Sequence, residues 1–271
     1  GIHTFTNEVQ FQTTGTWYFR ATDGAVNNQQ SSIYVEPGAL ASFTLAGISD
    51  PTNADNQESP MVTAYDAASN VKTDYLGTVT FSTDDPMGVM PSDYTFNAGD
   101  LGVHTFTNEV DLRTVAGGPW YVRVEDSSNS ALNGEQIDID VVPGILDNFL
   151  VDNVDDPTEA GVLLDPQVTA RDQYNNTKTD YVGTVTFSSD DGAAILPADY
   201  TYVLGDAGVH LFDDELQFQT SGIFYLQVDD GGATGQQANI DVLAGPLDHF
   251  DVSGISDPTV AGTQETVTIW A

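Results

Sequence analysis

GTVTFSTDDPMGVMPSDYTFNAGDLGVHTF, residues 77–106, returns as GTVTFSSDDGAAILPADYTYVLGDAGVHLF at residues 183–212, and its tail opens the chain as GIHTFTNEV, residues 1–9. Aligned with itself, the chain sets His3, His104 and His210 at one repeat position. Asp50-Pro51, Asp156-Pro157 and Asp257-Pro258 occupy another. The period is about a hundred residues, well above the roughly 20–50 of solenoid repeats, so each unit is expected to be a whole domain. Junctions at Pro37-Gly38, Pro143-Gly144 and Gly245-Pro246 each follow an alternating apolar run. They divide the chain into a partial unit (1–38), two whole units (39–144 and 145–245) and an opening fragment (246–271).

Within 39–144 the apolar residues recur at period two, not 3.6. Strand-like runs fall at 42–46, 61–65, 77–81, 94–96, 103–112, 120–124 and 137–142. In the sixth, Trp120, Val122 and Val124 share one face and Tyr121 and Arg123 the other, the alternation of a half-buried strand. Asp, Asn, Gly and Pro cluster between the runs, as turns require. No segment reads as an amphipathic helix. About seven short strands in roughly a hundred residues is the arithmetic of an immunoglobulin-like sandwich. The expected fold is all-β: tandem sandwiches of about seven strands each, end to end. By the same count, residues 1–38 would hold the last three strands of a unit and 246–271 roughly the first two.

Composition narrows the function. A hydrophobic fraction of 40% with 10% aromatics is enough for packed cores. There are no cysteines, which excludes disulfides, thiolate metal sites and thiol catalysis. Forty-one acidic residues face six basic ones, a formal net charge of −35. Such a surface repels phosphate backbones and anionic headgroups, so neither nucleic acid nor membrane insertion is expected. Self-repulsion at this level opposes compaction and calls for an offset: divalent cations, high external salt, or wide spacing along an extended rod. No apolar run approaches the ~18 residues of a membrane span. The chain starts at Gly1 without a signal sequence and reads as a piece of something longer.

AYDAASNVKTDYLGTVTFSTDDPMGVMPSDYTF (64–96) and ARDQYNNTKTDYVGTVTFSSDDGAAILPADYTY (170–202) resemble the tandem bacterial immunoglobulin-like (Big-type) repeats of large extracellular surface proteins and adhesins. The shared pattern is A-x-D-x-x-G-N, then Y-x-G-T-V-x-F, L-P-x-D-Y-x-F and D-x-G-x-H-x-F. The glycine of the first element is here Ser69 or Asn175, at a position expected to need a left-handed turn. The resemblance implies an exposed, modular, non-catalytic protein.

Several residues could carry chemistry. Calcium accepts six to eight oxygen ligands from Asp, Asn and carbonyls, and two acidic clusters recur. The first is Asp66, Asn70 and Asp74, repeated as Asp172, Asn176 and Asp180. The second is Asp84, Asp85, Asp93 and Asp100, repeated as Asp190, Asp191, Asp199 and Asp206. Junction residues Asp50, Asp155, Asp156 and Asp257 form a third candidate. None matches an EF-hand loop, and the alternative is that they are Asx-turns and strand-end caps. The recurring histidines are expected at strand starts, hydrogen-bonded to backbone. His249 has no partner in the series. Trp17, Trp120, Tyr18, Tyr121 and Tyr225 could form a sugar-stacking face, but Phe224 replaces the tryptophan in the second whole unit, so one member of each pair is expected in the core. Asn175-Asn176-Thr177 is a glycosylation-type triplet. The length changes between units fall on either side of the sixth strand, at Ala116–Pro119 and Ser127–Gln136, as surface loops would. G-x-S-x-G, H-E-x-x-H and phosphate-cradling glycine loops are missing, and no enzymatic activity is expected.

The sequence therefore points to a structural or adhesive segment of an extracellular repeat protein: a stalk, adhesin or filament on the cell surface. The alternative is a tandem carbohydrate- or protein-binding module of a secreted protein. The expected partners are neighbouring copies or repeats of the same protein, or a surface glycan or protein ligand. Calcium is the one cofactor in view. Were the chain a mature polypeptide, its end fragments could also pair head to tail with those of a neighbouring copy.

Overall fold

The computed structural model describes residues 1–270. Every regular element is a strand except one 3₁₀ turn, Leu204–Asp206. Among these residues no helix is long and apolar enough to cross a membrane. The chain forms two compact units, residues 1–145 with 172–176, and residues 146–171 with those from 177 onward.

In the first unit, β1 (Gly15–Thr22) and β2 (Asn27–Val35) form an antiparallel hairpin. A sandwich follows, built from β3 (Leu40–Ala46), β4 (Thr52–Asn53), β5 (Met61–Asp66), β6 (Thr78–Thr83), β7 (Tyr94–Thr95), β8 (Val103–Thr105), β9 (Trp120–Asp126), β10 (Asn129–Ile139) and β11 (Val141–Val142). One sheet has the order β3-β5-β8, the other β10-β9-β6-β7, and β4 pairs with β11. This is an immunoglobulin-type order: the first, second and fifth of the seven expected runs lie on one sheet, and the third, fourth, sixth and seventh on the other. Phe43, Leu45, Val62 and Ala64 of one sheet meet Val79, Val122, Val124 and Ile139 of the other in one buried cluster. The alternation in β9 runs buried, half-buried throughout, because only the Trp120-Val122-Val124 face points inward.

The second unit repeats the design with β12 (Leu146–Asp152), β13 (Thr158–Glu159), β14 (Gln167–Asp172), β15 (Thr184–Ser188), β16 (Tyr200–Thr201), β17 (Val209–Leu211), β18 (Gly222–Asp229) and β19 (Thr234–Leu243). Its sheets are β12-β14-β17 and β13-β19-β18-β15-β16. A last hairpin joins β20 (Asp251–Ser253) to β21 (Thr268–Trp270). Tyr181 takes the place of Tyr75 at the centre of an edge-to-face aromatic set, 5.4 Å from Phe149 and 5.0 Å from Tyr202. Tyr202 stands where the first sandwich has Phe96, and its added hydroxyl donates to the Val168 carbonyl at 2.9 Å, so the buried oxygen is not orphaned.

Several strand expectations need correction. The fifth run ends at Thr105, because the backbone beyond it makes only single bridges, Glu58 with Val110 and Val89 with Asp111. The seventh begins at Asn129, since strand pairing continues to the hairpin tip and takes in most of the expected loop Ser127–Gln136. Residues 1–38 hold two strands, not three. The counterpart of β8 there has no strand to pair with, whereas β8 itself pairs with β5. Ser69 and Asn175 do adopt the expected left-handed turn, with φ of 63° and 65°.

The sandwich is closed where its last strand passes its first. Gln136 in β10 donates to the Ile48 carbonyl at 2.7 Å and accepts from the Ile48 N–H at 3.3 Å. Gln237 does the same to Val154, at 2.7 and 3.2 Å. The amide group thus stands in for a missing ladder rung. Two residues earlier, Gly134 and Gly235 let the strand run against the carbonyls of Phe43 and Phe149; a Cβ at either place would collide with that backbone oxygen. Gly134→Ala and Gly235→Ala are therefore each expected to lower stability by about 1–3 kcal/mol, the usual cost of overpacking. Denaturant unfolding checks this, with Gly192→Ala, where no atom lies within 4 Å of the added Cβ, as the neutral comparison.

Candidate functional site

The recurring carboxylates lie at the ends of strands, and the structure places most of them on backbone N–H groups. Asp85 and Asp191 are buried. Asp85 accepts from the N–H groups of Arg113 (2.7 Å), Thr114 (3.2 Å) and Met87 (2.9 Å). Asp191 accepts from Gln219 (2.8 Å), Thr220 (3.1 Å) and Ala193 (3.1 Å). Each thereby pins the segment that precedes the sixth strand to the loop after the third. Their exposed neighbours Asp84 and Asp190 accept from the N–H of Tyr121 and Tyr225, both at 3.0 Å.

Asp66 and Asp172 are hubs of another kind. Asp66 accepts from the backbone of Gly38 (2.8 Å), Ala68 (2.9 Å) and Asn70 (2.8 Å) and from the Asn70 amide (2.9 Å). Asp172 accepts from Gly144 (2.9 Å), Tyr174 (2.9 Å), Asn176 (2.9 Å) and the Asn176 amide (2.8 Å). Bonds to the ionised form favour it, so the Asn70 side chain and then the Gly38 and Asn70 N–H groups hold Asp66 down to about 2. A carboxyl lowered on folding stabilises the fold at every pH above its ordinary value, and that contribution fades as the pH falls toward 2.

The other candidates are dispersed. Asp74 and Asp180 are exposed and pair with Lys72 (2.7 Å) and Lys178 (2.8 Å). Asp93 and Asp199 are exposed. Asp100 and Asp206 accept from the hydroxyls of Tyr94 (3.1 Å) and Tyr200 (3.2 Å) and from the N–H of Asn97 (2.7 Å) and Val203 (2.8 Å). At the junctions, Asp50 and Asp156 each accept a backbone N–H at 3.0 Å, from Asp140 and Asp241, while Asp155 and Asp257 lie exposed. Among the described residues, no three His, Cys, Asp or Glu side chains converge as a metal site would need.

The histidines differ from expectation. His104 and His210 do not bond to backbone; each ring stacks on a tyrosine, Tyr94 or Tyr200, with centroids 3.8 Å apart. Nδ1 of His104 then faces Asp100 at 3.4 Å. Tyrosine, histidine and aspartate form one packed set. Trp120 is core, with its Nε1–H donated to the Thr114 carbonyl at 2.6 Å, whereas Trp17 and Tyr18 are exposed on the first hairpin. Phe224 stacks on Phe218 at 5.9 Å.

Two pairs escaped the reading of the sequence. Tyr75 donates to Asp126 at 2.7 Å and Tyr181 to Asp230 at 3.0 Å, tying the turn before the third strand to the end of the sixth. Burial, then the facing carboxylate, pushes both phenols up. Asp126 and Asp230 are lowered: their hydrogen bonds to Ser128 and Tyr75, and to Ala233 and Gly232, outweigh burial, the largest single influence, which acts in the opposite direction. Their signal was available, since the tyrosine of Y-x-G-T-V recurs and an acid closes each sixth strand.

No protein-family model matches the chain, and no curated protein matches it. Among solved structures it is similar to FdeC, an Escherichia coli adhesin, at 17% identity and a TM-score of 0.40 over 84% of this chain and 74% of that one. The Yersinia pseudotuberculosis adhesin InvE gives 16% and 0.34 over 72% and 57%. Domains 4–9 of the surface-layer protein SbsC give 15% and 0.28 over 86% and 36%.

Loss of a buried carboxylate orphans the N–H groups it caps, at about 1–3 kcal/mol. Asp85→Ala and Asp191→Ala are expected to lose that much in denaturant unfolding, while Asp93→Ala and Asp199→Ala stay within about 0.5 kcal/mol of the parent.

Proposed function

We propose that the chain is a load-bearing segment of an extracellular repeat protein, with its sandwiches serving as spacers in a surface stalk, adhesin or filament. The observation that carries this reading is the parallel pairing of the first and last parts of each sandwich. Thr52 and Asn53 pair with Val141 and Val142, and Thr158 and Glu159 with Val242 and Leu243. A pull on the two ends of a sandwich drags such strands in opposite directions along their own length. The rungs Thr52 N–H to Asp140 (2.9 Å), Ala54 N–H to Val142 (3.0 Å) and Ala160 N–H to Leu243 (2.9 Å) are then sheared together instead of unzipped one by one.

Two further features support it. The same hydrogen-bonding residues recur in both sandwiches, Asp66, Asn70, Tyr75, Asp85 and Gln136 as Asp172, Asn176, Tyr181, Asp191 and Gln237, as spacers allow and a single catalytic constellation does not. The displaced titrating groups also move away from neutrality, with tyrosines raised and aspartates lowered; general acid–base work asks for the reverse. In this reading the net charge of −35 keeps neighbouring fibres apart. Calcium enters as a counterion of exposed carboxylates such as Asp93 and Asp199.

Single-molecule stretching tests the proposal. Two force peaks are expected, each releasing roughly a hundred residues, or about 340 Å of extended chain. Ala160→Pro deletes one sheared rung and should weaken one peak. A peak unmoved by that change, or unfolding without resolved peaks, contradicts load-bearing. A glycan array on which the chain is retained through one sandwich alone would favour the binding-module reading.

A further inference from the structure

One contact, made twice in the first unit, points to a third site. Asn70 donates its amide to the Gln12 carbonyl at 2.7 Å and accepts from the Thr14 N–H at 3.1 Å, while Asp66 holds the Gly38 N–H. The segment 172–176, which belongs to the same unit, repeats this. Asn176 donates to the Arg113 carbonyl at 2.7 Å and accepts from the Val115 N–H at 3.0 Å, while Asp172 holds the Gly144 N–H. Each Asp-x-x-x-Asn turn thus grips three backbone groups: a carbonyl, the N–H two residues on, and the N–H of the glycine after the last strand. The Asp66 and Asp172 hydrogen bonds within the turn fix the asparagine amide in place before it meets anything.

The gripped segment occurs a third time as Gln219-Thr220-Ser221, with Gly245 as its glycine. Asp191 holds the Gln219 and Thr220 N–H groups as Asp85 holds those of Arg113 and Thr114. That leaves the Gln219 carbonyl and the Ser221 N–H in the register that the asparagine reads. Residues 219–221 are exposed. Among the described residues neither the Ser221 nor the Gly245 N–H has a hydrogen-bond partner. We propose that Gln219, Ser221 and Gly245 form a receptor for the Asp-x-x-x-Asn turn of a further repeat of this kind. The proposal rests on reading the chain as a repeat array and adds the chemistry by which such a turn is held: one amide side chain against one peptide segment.

The test is amide hydrogen exchange on the whole chain and on a version in which a copy of residues 145–245 follows Gly245. In the parent, Val115 and Gly144 should be protected and Ser221 and Gly245 open. In the extended chain Ser221 and Gly245 should slow by at least about tenfold, and Ala in place of the asparagine copied from Asn176 should return Ser221 to the parental rate. Ser221 unchanged beside a protected Val115, or slowed regardless of that asparagine, overturns the proposal. Should the copy not fold, a peptide of residues 170–180 replaces it. Shifts at the Ser221 and Gly245 amides are expected with that peptide, and none at Ser221 with its Asn176→Ala form; no shift at millimolar peptide overturns the proposal. Force peaks are read separately, so a failed receptor leaves the load-bearing account standing and a failed load-bearing account leaves the receptor measurable.

Discussion

An ionised aspartate on a backbone N–H at a strand end is the interaction on which the rest of this structure depends. A sandwich of short strands has many ends, and each end leaves peptide groups that no ladder reaches. Water can satisfy them only at the rim. Here Asp66, Asp85, Asp126 and their counterparts Asp172, Asp191 and Asp230 take on that work from inside. Ladders supply the layers and the apolar faces supply the cohesion. The carboxylates decide how the loops lie between them.

This arrangement also changes the meaning of the charge. A net charge of −35 looks like a liability to a compact chain. Asp66, Asp191 and Asp230, however, each accept two or three backbone N–H bonds, and a carboxylate so placed is stabilised in its charged form. The repulsion that remains lies with exposed residues such as Asp93, Asp155, Asp199 and Asp257, where salt screens it. The same acidic composition thus serves two ends: internal caps that order loops, and an outer coat.

The fold was legible because it is written twice. Period-two alternation in residues 120–124 and the recurrence of Y-x-G-T-V gave strands, sandwich and repeat. What the sequence hid were contacts across long separations. Gln136 on Ile48, Tyr75 on Asp126 and Asn70 on Gln12 join residues dozens of positions apart, and no local pattern marks a glutamine that replaces a ladder rung. The acidic clusters were legible as clusters, yet their grouping in sequence misled. In a β-fold consecutive turns sit at opposite ends of the strands, so Asp85 and Asp100 serve different loops. The histidines misled for a related reason, since the tyrosine they stack on comes from another strand.

Carboxyl titration by NMR tests the account most directly, in chelator and again with calcium. Asp66 should titrate near 2, and Asp126, Asp191 and Asp230 below the ordinary carboxylate range, with the same curves in both conditions. Midpoints near the unperturbed value of about 3.9, or midpoints that drop only when calcium is added, would contradict the claim that these side chains are backbone caps.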